Sequence, residues 1–256
     1  MSGWRLYLNV GNSTAQAGVW TGRGWAPVLR GDTGKALELL EAVLRLPNLP
    51  AEDPDVVAAC FSRPDREPWL VTVEARLGLR PLVLGQDFAA PIQTCYRDPR
   101  QLGADRAANV LAAVAAGEHP CLILDAGTCL TADLVGADGV HLGGAIAPGL
   151  PAARAGILAG APHLAPHLPP AQGISAPAGA GVDTAENLAL GLESALVGTA
   201  QALVDHLQQM TESPAEVILT GGDARLLEDR LRGPAQLRLE LTLEGLRLAY
   251  EATTLP

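Results

Sequence analysis

The sequence predicts an α/β protein built on a duplicated plan, two halves each with a mixed sheet flanked by helices. Two observations carry this expectation. Leu6-Tyr7-Leu8-Asn9-Val10-Gly11-Asn12-Ser13-Thr14 and Leu122-Ile123-Leu124-Asp125-Ala126-Gly127-Thr128-Cys129-Leu130-Thr131 repeat one design: an apolar strand ending in Asn or Asp, a small or apolar residue, a glycine, and a hydroxyl-rich turn. Asp55 to Arg63 and Glu216 to Asp223 repeat a second one, a buried strand followed by a polar turn and a helix. The length of 256 residues accommodates two domains of about 115–140 residues with ordinary cores. The expected halves are residues 1–117 and 118–256.

In the first half, Arg5 to Asn9 reads as a strand, Ala15 to Trp20 as a second, and Trp25 to Leu29, after a turn at Gly22-Arg23-Gly24, as a third. A helix is expected over Lys35 to Leu46. Pro54 to Cys60 has the Val-Val-Ala-Ala run of a strand buried on both faces. Glu67 to Leu77 reads as a helix, Arg80 to Leu84 as a strand, and about Asp105 to Ala116 as a helix leading into the second half. There, strands are expected at Cys121 to Asp125, Thr131 to Val135 and, after a hairpin at Asp138-Gly139, Val140 to Ala147. A long helix follows from Thr184 to Met210 with Asp183 as its cap. Glu216 to Thr220 is another buried strand. Three strands, then alternating helix and strand, twice over, is the pattern of the actin-like (ribonuclease H-like) fold.

From Ala155 to Val182 no Asp, Glu, Lys or Arg occurs. Pro162, Pro166, Pro169, Pro170 and Pro177 interrupt the stretch, so it reads as a long ordered loop and not as a membrane span. The same prolines deny His163 and His167 a regular helix, so no metal is expected on that pair. The net charge of −10 disfavours nucleic acid and anionic membranes as partners. Cys60, Cys95, Cys121 and Cys129 form no metal-binding spacing and read as reduced thiols of a cytoplasmic protein. No signal peptide is expected, since no basic segment followed by an apolar one opens the chain.

The chemistry must run without lysine. Lys35 is the only one, and Leu29 and Ala36 stand where a P-loop would need Gly and Ser or Thr. Carboxylates, arginine, backbone groups and a metal are left to handle phosphate. The two strand-end turns suit phosphate well. Glycine lets backbone approach the oxygens, N–H and O–H groups point at them, and an acid can hold a cation beside them. A nucleotide triphosphate between the halves is the expected ligand. Gly103-Ala104-Asp105-Arg106 begins a helix, where Asp105 either compensates the helix dipole or accepts a proton from a substrate hydroxyl, with Arg106 gripping a carboxylate or carbonyl. Gly143 to Gly149 reads equally as a bulged strand or a ligand-contacting loop. Thr220-Gly221-Gly222-Asp223 reads as a helix start or as a contact for a base or ribose.

Taken together these residues resemble the type III pantothenate kinase family. The resemblance rests on Asn9 to Ser13, Tyr96, Leu102 to Asn109, Asp125 to Asp133, Gly143 to Gly149, Asp183-Thr184 with Gly191, and Val217 to Gly222. It implies transfer of the ATP γ-phosphate to pantothenate, the first step of coenzyme A synthesis, by a homodimer with active sites near the subunit interface. It also implies roles for individual residues. Asp105 is the general base. Tyr96, Gly103, Ala104, Asp105, Arg106 and Thr184 contact pantothenate, Thr184 from the neighbouring subunit. Asn9, Val10, Gly11, Asn12, Ser13, Thr14, Ala15, Gln16 and Thr128 contact ATP, and Asp125 binds a monovalent cation, K⁺ or NH₄⁺, used beside Mg²⁺.

One position departs from the family pattern: its first motif opens with Asp, and this chain has Asn9. An amide keeps an oxygen ligand but loses the charge that attracts Mg²⁺, which is expected to slow phosphoryl transfer. Two other functions therefore stand beside the kinase: a catalytically weakened or inactive relative that binds nucleotide or pantothenate as an accessory or regulatory protein, and a different small-molecule kinase or phosphatase on the same fold.

Overall fold

The first strand, β1 (Arg5–Val10), organises the first sheet by pairing antiparallel with β2 (Thr14–Trp20) on one side and parallel with β4 (Val56–Phe61) on the other. With β3 (Leu29–Asp32) and the two-residue β5 (Leu82–Val83) the order is β3-β2-β1-β4-β5. These assignments come from a computed structural model, which describes residues 3–47, 49–50, 53–170 and 173–254. Side chains alternate across β1, and both faces are covered. Leu6, Leu8 and Val10 pack with Leu39, Leu40 and Val43 of α1 (Ala36–Leu44) and with Trp69 and Val73 of α2 (Glu67–Leu77). Tyr7 faces the other way, with Ala58, Cys60, and Ala108 and Leu111 of α3 (Ala104–Ala115). Cover on both faces is why β1 and β4 read as near-continuous apolar runs.

The third strand lies later than Trp25 to Leu29. Trp25 makes a single bridge to Trp20, and its ring packs edge-on against Trp20 and Tyr7 at centroid distances of 5.3 and 5.6 Å. Pro27 then interrupts the ladder because it has no N–H to give, and pairing resumes at Leu29 opposite Ala17.

The second unit repeats the plan. β6 (Cys121–Ala126) pairs antiparallel with β7 (Cys129–Val135) and parallel with β9 (Glu216–Thr220). With β8 (His141–Pro148) and β10 (Ala235–Leu237) the order is β10-β9-β6-β7-β8, the same order and directions as the first sheet, strand for strand. The fold is a duplicated actin-like one, as the sequence predicts.

The stretch expected to be loop is partly helical. α4 (Leu150–Gly160) follows Gly149, with Pro151 in its first turn, where a missing N–H costs nothing. Its alanine-rich body has high helix propensity, and lacking a charged face it gives no periodic signal. A 3₁₀ helix continues over Pro162–His167, so the prolines stop the α-helix without abolishing helical turns. Ala171 and Gln172 lie outside the described residues, and 173–183 carries neither helix nor strand.

α5 (Thr184–Leu207) opens on the predicted cap: the Asp183 carboxylate accepts the Glu186 N–H at 2.8 Å, and the Glu186 carboxylate accepts the Val182 N–H at 2.9 Å. This reciprocal arrangement satisfies two N-terminal donors. The helix ends three residues before Met210, in a 3₁₀ turn over Gln208–Met210. By length and composition α5 could cross a membrane, with mean hydropathy 1.2, but Ala189, Leu192, Leu196, Ala200, Val204 and Leu207 pack into the core of the second unit. A short α6 (Ala224–Glu228) follows β9.

The last helix, α7 (Leu241–Thr254), returns to the first unit. The compact units are therefore Met1–Gly117 with Glu240–Pro256, and Glu118–Leu239, whereas the sequence predicts 240–256 in the second half. The reason lies in the side chains. Leu243, Leu246, Ala249 and Tyr250 complete the cluster around Tyr7, Cys60 and Ala108, and the buried Thr242 hydroxyl donates to Asn109 Oδ1 of α3 at 2.8 Å. The two helices touch at Gly245, where a Cβ would overlap the Ala108 carbonyl oxygen. Gly245→Ala should therefore destabilise the protein by about 1–3 kcal/mol despite alanine's better helix propensity, because backbone cannot yield. A urea titration with unchanged slope and a lower midpoint is the expected result; a raised midpoint would show that the helices separate without cost.

Candidate active site

In the first unit the turn after β1 is built from backbone. Gly11 N–H donates to the Thr14 carbonyl at 2.9 Å, and Thr33 braces the loop from outside, its hydroxyl donating to the Gly11 carbonyl at 2.9 Å and its N–H to the Ser13 carbonyl at 3.3 Å. Thr33 is held in turn by the buried Trp69 indole, which donates to its carbonyl at 2.8 Å. The turn after β4 is joined to the same loop: Ser62 N–H donates to the Val10 carbonyl at 3.1 Å, and the Asn12 amide donates to the Ser62 carbonyl at 3.4 Å.

Asn9 sits directly opposite Gln16 in the β1–β2 ladder, on the same face. Asn9 Oδ1 and Gln16 Oε1 are both buried without a hydrogen-bond donor. Such oxygens are costly unless something else satisfies them, and two neutral oxygen donors side by side fit a hard cation such as Mg²⁺.

Two further predicted groups come together at the start of α3. Gly103 caps the helix, and Asp105 lies in its first turn, partly exposed. The Asp105 carboxylate accepts the Arg106 N–H on Oδ1 at 2.8 Å and the Ser62 hydroxyl on Oδ2 at 2.6 Å. Arg106 is buried, its Nη1 donates to the Tyr96 hydroxyl at 2.9 Å, and its guanidinium lies 5.7 Å from the centre of the Tyr96 ring. Tyr96, Gly103, Ala104, Asp105 and Arg106 thus form one group. Ser62 joins it without having been expected there; its only trace in the sequence is that it ends the strand parallel to β1.

In the second unit the turn after β6 has its own braces. Gly127 N–H donates to the Cys129 carbonyl at 3.0 Å, Gly149 N–H to the Thr128 carbonyl at 3.1 Å, and Asp223 N–H to the Ala126 carbonyl at 2.9 Å. Two glycines permit this crowding. A Cβ on Gly149 would overlap the Gly127 carbonyl oxygen, and one on Gly221, which has φ +93°, would stand 2.5 Å from Asp125 Oδ1. Asp125 is opposite Thr131 on β7 and Thr220 on β9, and Thr131 Oγ1 is buried without a partner. One carboxylate between two hydroxyls is a donor set suited to a monovalent cation. Both threonines lie in motifs read from the sequence, but the register that aligns them with Asp125 is not written locally. Thr184, the remaining predicted contact, heads α5 in this unit. Among the described residues no group of three or more His, Cys, Asp or Glu could hold a metal ion.

A family model described as type III pantothenate kinase matches residues 5–206. The chain belongs to this family. It is 29% identical over 252 residues to the type III pantothenate kinase of Syntrophotalea carbinolica, covering 96% of this chain and 97% of that relative. It is 30% identical over 257 residues to that of Geobacter sulfurreducens, covering 96% and 98%. Among solved structures it is similar to component A of the (R)-2-hydroxyglutaryl-CoA dehydratase of Acidaminococcus fermentans, with TM-score 0.58, 14% identity and 99% and 100% of the two chains covered. It is also similar to MreB 5 of Spiroplasma citri, with TM-score 0.53, 10% identity and 99% and 98% covered. These two likenesses show the fold. The family, with relatives near 30% identity over almost the whole chain, makes the protein a kinase.

Beside the Asp125 turn, burial pushes the Asp223 carboxyl up to about 6 from its ordinary 3.8. A carboxyl raised on folding binds its proton more tightly in the folded state. Stability therefore falls as pH rises from about 4 to 6, and a constant penalty remains above. Asp223→Asn removes the penalty. Its stability gain over the parent should be near zero at pH 4 and reach about 1–2 kcal/mol at pH 7.5, the roughly 1.4 kcal/mol per pH unit being reduced by solvent screening of a partly exposed group. Urea unfolding of both proteins at the two pH values checks this, and an equal difference at both would show that the carboxyl does not titrate as described.

Proposed function

We propose that this type III pantothenate kinase transfers the γ-phosphate of ATP to the primary hydroxyl of pantothenate, giving 4′-phosphopantothenate. The supporting observation is the group at the start of α3: a carboxylate held on both oxygens beside a buried guanidinium already oriented by Tyr96. Asp105 accepts the proton of the attacking hydroxyl as the bond to phosphorus forms, each carboxylate oxygen keeping a second lone pair for it. Arg106, with Tyr96, binds the substrate carboxylate or carbonyl and so fixes the hydroxyl relative to the base. The Asn9 to Gln16 turn and Thr128 contact the ATP phosphates through backbone and hydroxyl groups.

Mg²⁺, when bound, neutralises charge on the phosphates; Asn9 Oδ1 and Gln16 Oε1 are the oxygens that would hold it. Asp125, with Thr131 and Thr220, would hold K⁺ or NH₄⁺. Apolar surface on the second unit supports a homodimer, in which Thr184 serves the neighbouring subunit. Ile146 and Leu142 on edge strand β8 and Leu158 on α4 are exposed, Ile146 to 65%. The four cysteines are free thiols, in keeping with a cytoplasmic enzyme. A non-catalytic accessory role has Asn9 in its favour, but the named relatives are kinases and Gln16 supplies a second oxygen at that position.

Coupled ADP release with and without pantothenate tests the reading; pantothenate-dependent release is expected, and its absence with pantothenate still bound would favour the accessory role. Asp105→Asn should lower turnover by roughly 10²-fold or more with pantothenate binding retained. Near-normal turnover would remove Asp105 from the mechanism.

Asn9→Asp should lower the Mg²⁺ concentration for half-maximal rate and raise the maximal rate, because a carboxylate adds charge where the amide has none. A Mg²⁺ titration of both proteins that superimposes would show that position 9 does not govern the metal.

A further inference from the structure

We infer that Ser62 is the positioning residue of the base, tying the Asp105 carboxylate to the phosphate-binding turn after β1; this rests on the kinase reading above. Ser62 is the first residue beyond β4, and all of its polar groups are engaged. Its N–H extends the parallel ladder by one bond to the Val10 carbonyl at 3.1 Å, and its carbonyl accepts the Asn12 amide at 3.4 Å. Both partners lie on the Asn9 to Ser13 turn. Its hydroxyl donates the other way, to Asp105 Oδ2 at 2.6 Å, within the range of a hydrogen bond to a charged acceptor. Asp105 Oδ1 is meanwhile held by the Arg106 N–H at 2.8 Å.

The consequence is geometric. Held on one oxygen only, a carboxylate can swing about its last two side-chain torsions. Held on both, from two different elements, its plane and free lone pairs are fixed. Because the second holder is pinned by backbone to the phosphate turn, any shift of that turn carries the base with it. Phosphoryl transfer depends on the alignment of hydroxyl and phosphorus, so a link of this kind acts on turnover and not on affinity. Ser62 is not itself the base, since its proton is committed to Asp105. Its exposure leaves room for a substrate to approach the same carboxylate.

The test compares Ser62→Ala and Ser62→Thr with the parent. Ser62→Ala removes only the hydroxyl; the two backbone bonds to the turn, and Arg106 with Tyr96, stay in place. Its kcat should fall about 10–100-fold while KM for ATP and for pantothenate stay within about twofold. Ser62→Thr keeps the hydroxyl and should recover most of the loss. In an Asp105→Asn background, Ser62→Ala should cost little further, because the group it positions is gone. An unchanged kcat, a loss appearing in KM, or full additivity with Asp105→Asn would overturn the inference.

A second readout needs no turnover. The carboxyl ¹³C resonance of Asp105 in the free protein should show an H₂O/D₂O isotope shift that is clearly reduced in Ser62→Ala, the remainder coming from the Arg106 N–H on Oδ1. If the parent shows no such Ser62-dependent part the bond is absent and the inference fails, whatever the substrate. If that part is present in a protein that does not phosphorylate pantothenate, the positioning bond stands and the substrate reading fails.

Discussion

Parallel pairing of a unit's first strand with its fourth decides where the chemistry of this protein can sit. Parallel strands finish at the same edge of a sheet, so the turn after β4 must emerge beside the turn after β1, and the turn after β9 beside the turn after β6. Segments about fifty residues apart in the first unit and nearly a hundred in the second are thereby placed within hydrogen-bond reach, the usual reason ligands gather at the carboxyl ends of such strands. In the first unit this brings Ser62 to Val10 and Asn12. In the second it lays Gly221 across Asp125 and gives the Asp223 N–H the Ala126 carbonyl. Each turn is braced by donors from neighbouring loops, Thr33 and Ser62 in the first unit and Gly149 and Asp223 in the second.

The two units keep this frame but load it differently. Position 9 is an amide facing another amide, Gln16; position 125 is a carboxylate facing the Thr131 hydroxyl. Asp105 and its neighbour Arg106 stand at the start of α3, the helix that follows β5; the helix in the corresponding place after β10 is α7, which joins the first unit and carries no such pair at its start. Duplication supplied two equivalent strand-end turns, and the substitutions at matching register positions separate an amide-lined one from an acid-lined one.

Much of this is legible in the residues. β1, β6 and β9 are short apolar runs bounded by polar turns, and their positions follow from that contrast. The Asp183 cap is a local signal, readable without its surroundings. Asp105, Arg106 and Tyr96 stand out because charged and aromatic residues flank a helix start. What escapes is whatever depends on distant register or on the absence of contrast. α4 has no polar face and few breakers, so nothing periodic marks it. α7 has a recognisable apolar face, but its partner is Ala108, far back in the chain. Ser62 is an ordinary turn serine until the parallel ladder places it beside Val10. Thr131 and Thr220 are joined to Asp125 only when both strands align with it.

The return of α7 to the first unit has a bearing on how the chain is made. Synthesis runs from the amino terminus, and domains ordinarily condense as they leave the ribosome. Here the cluster around Tyr7, Cys60 and Ala108 lacks Leu243, Leu246 and Ala249 until every residue of the second unit has been added. The amino-terminal residues are thus born first and completed last, with one apolar face of their sheet waiting through more than a hundred further residues of translation. Growing chains are exposed to chaperones and to aggregation through that face, and anything that delays or alters residues 241–254 acts on a core whose other members were synthesised first.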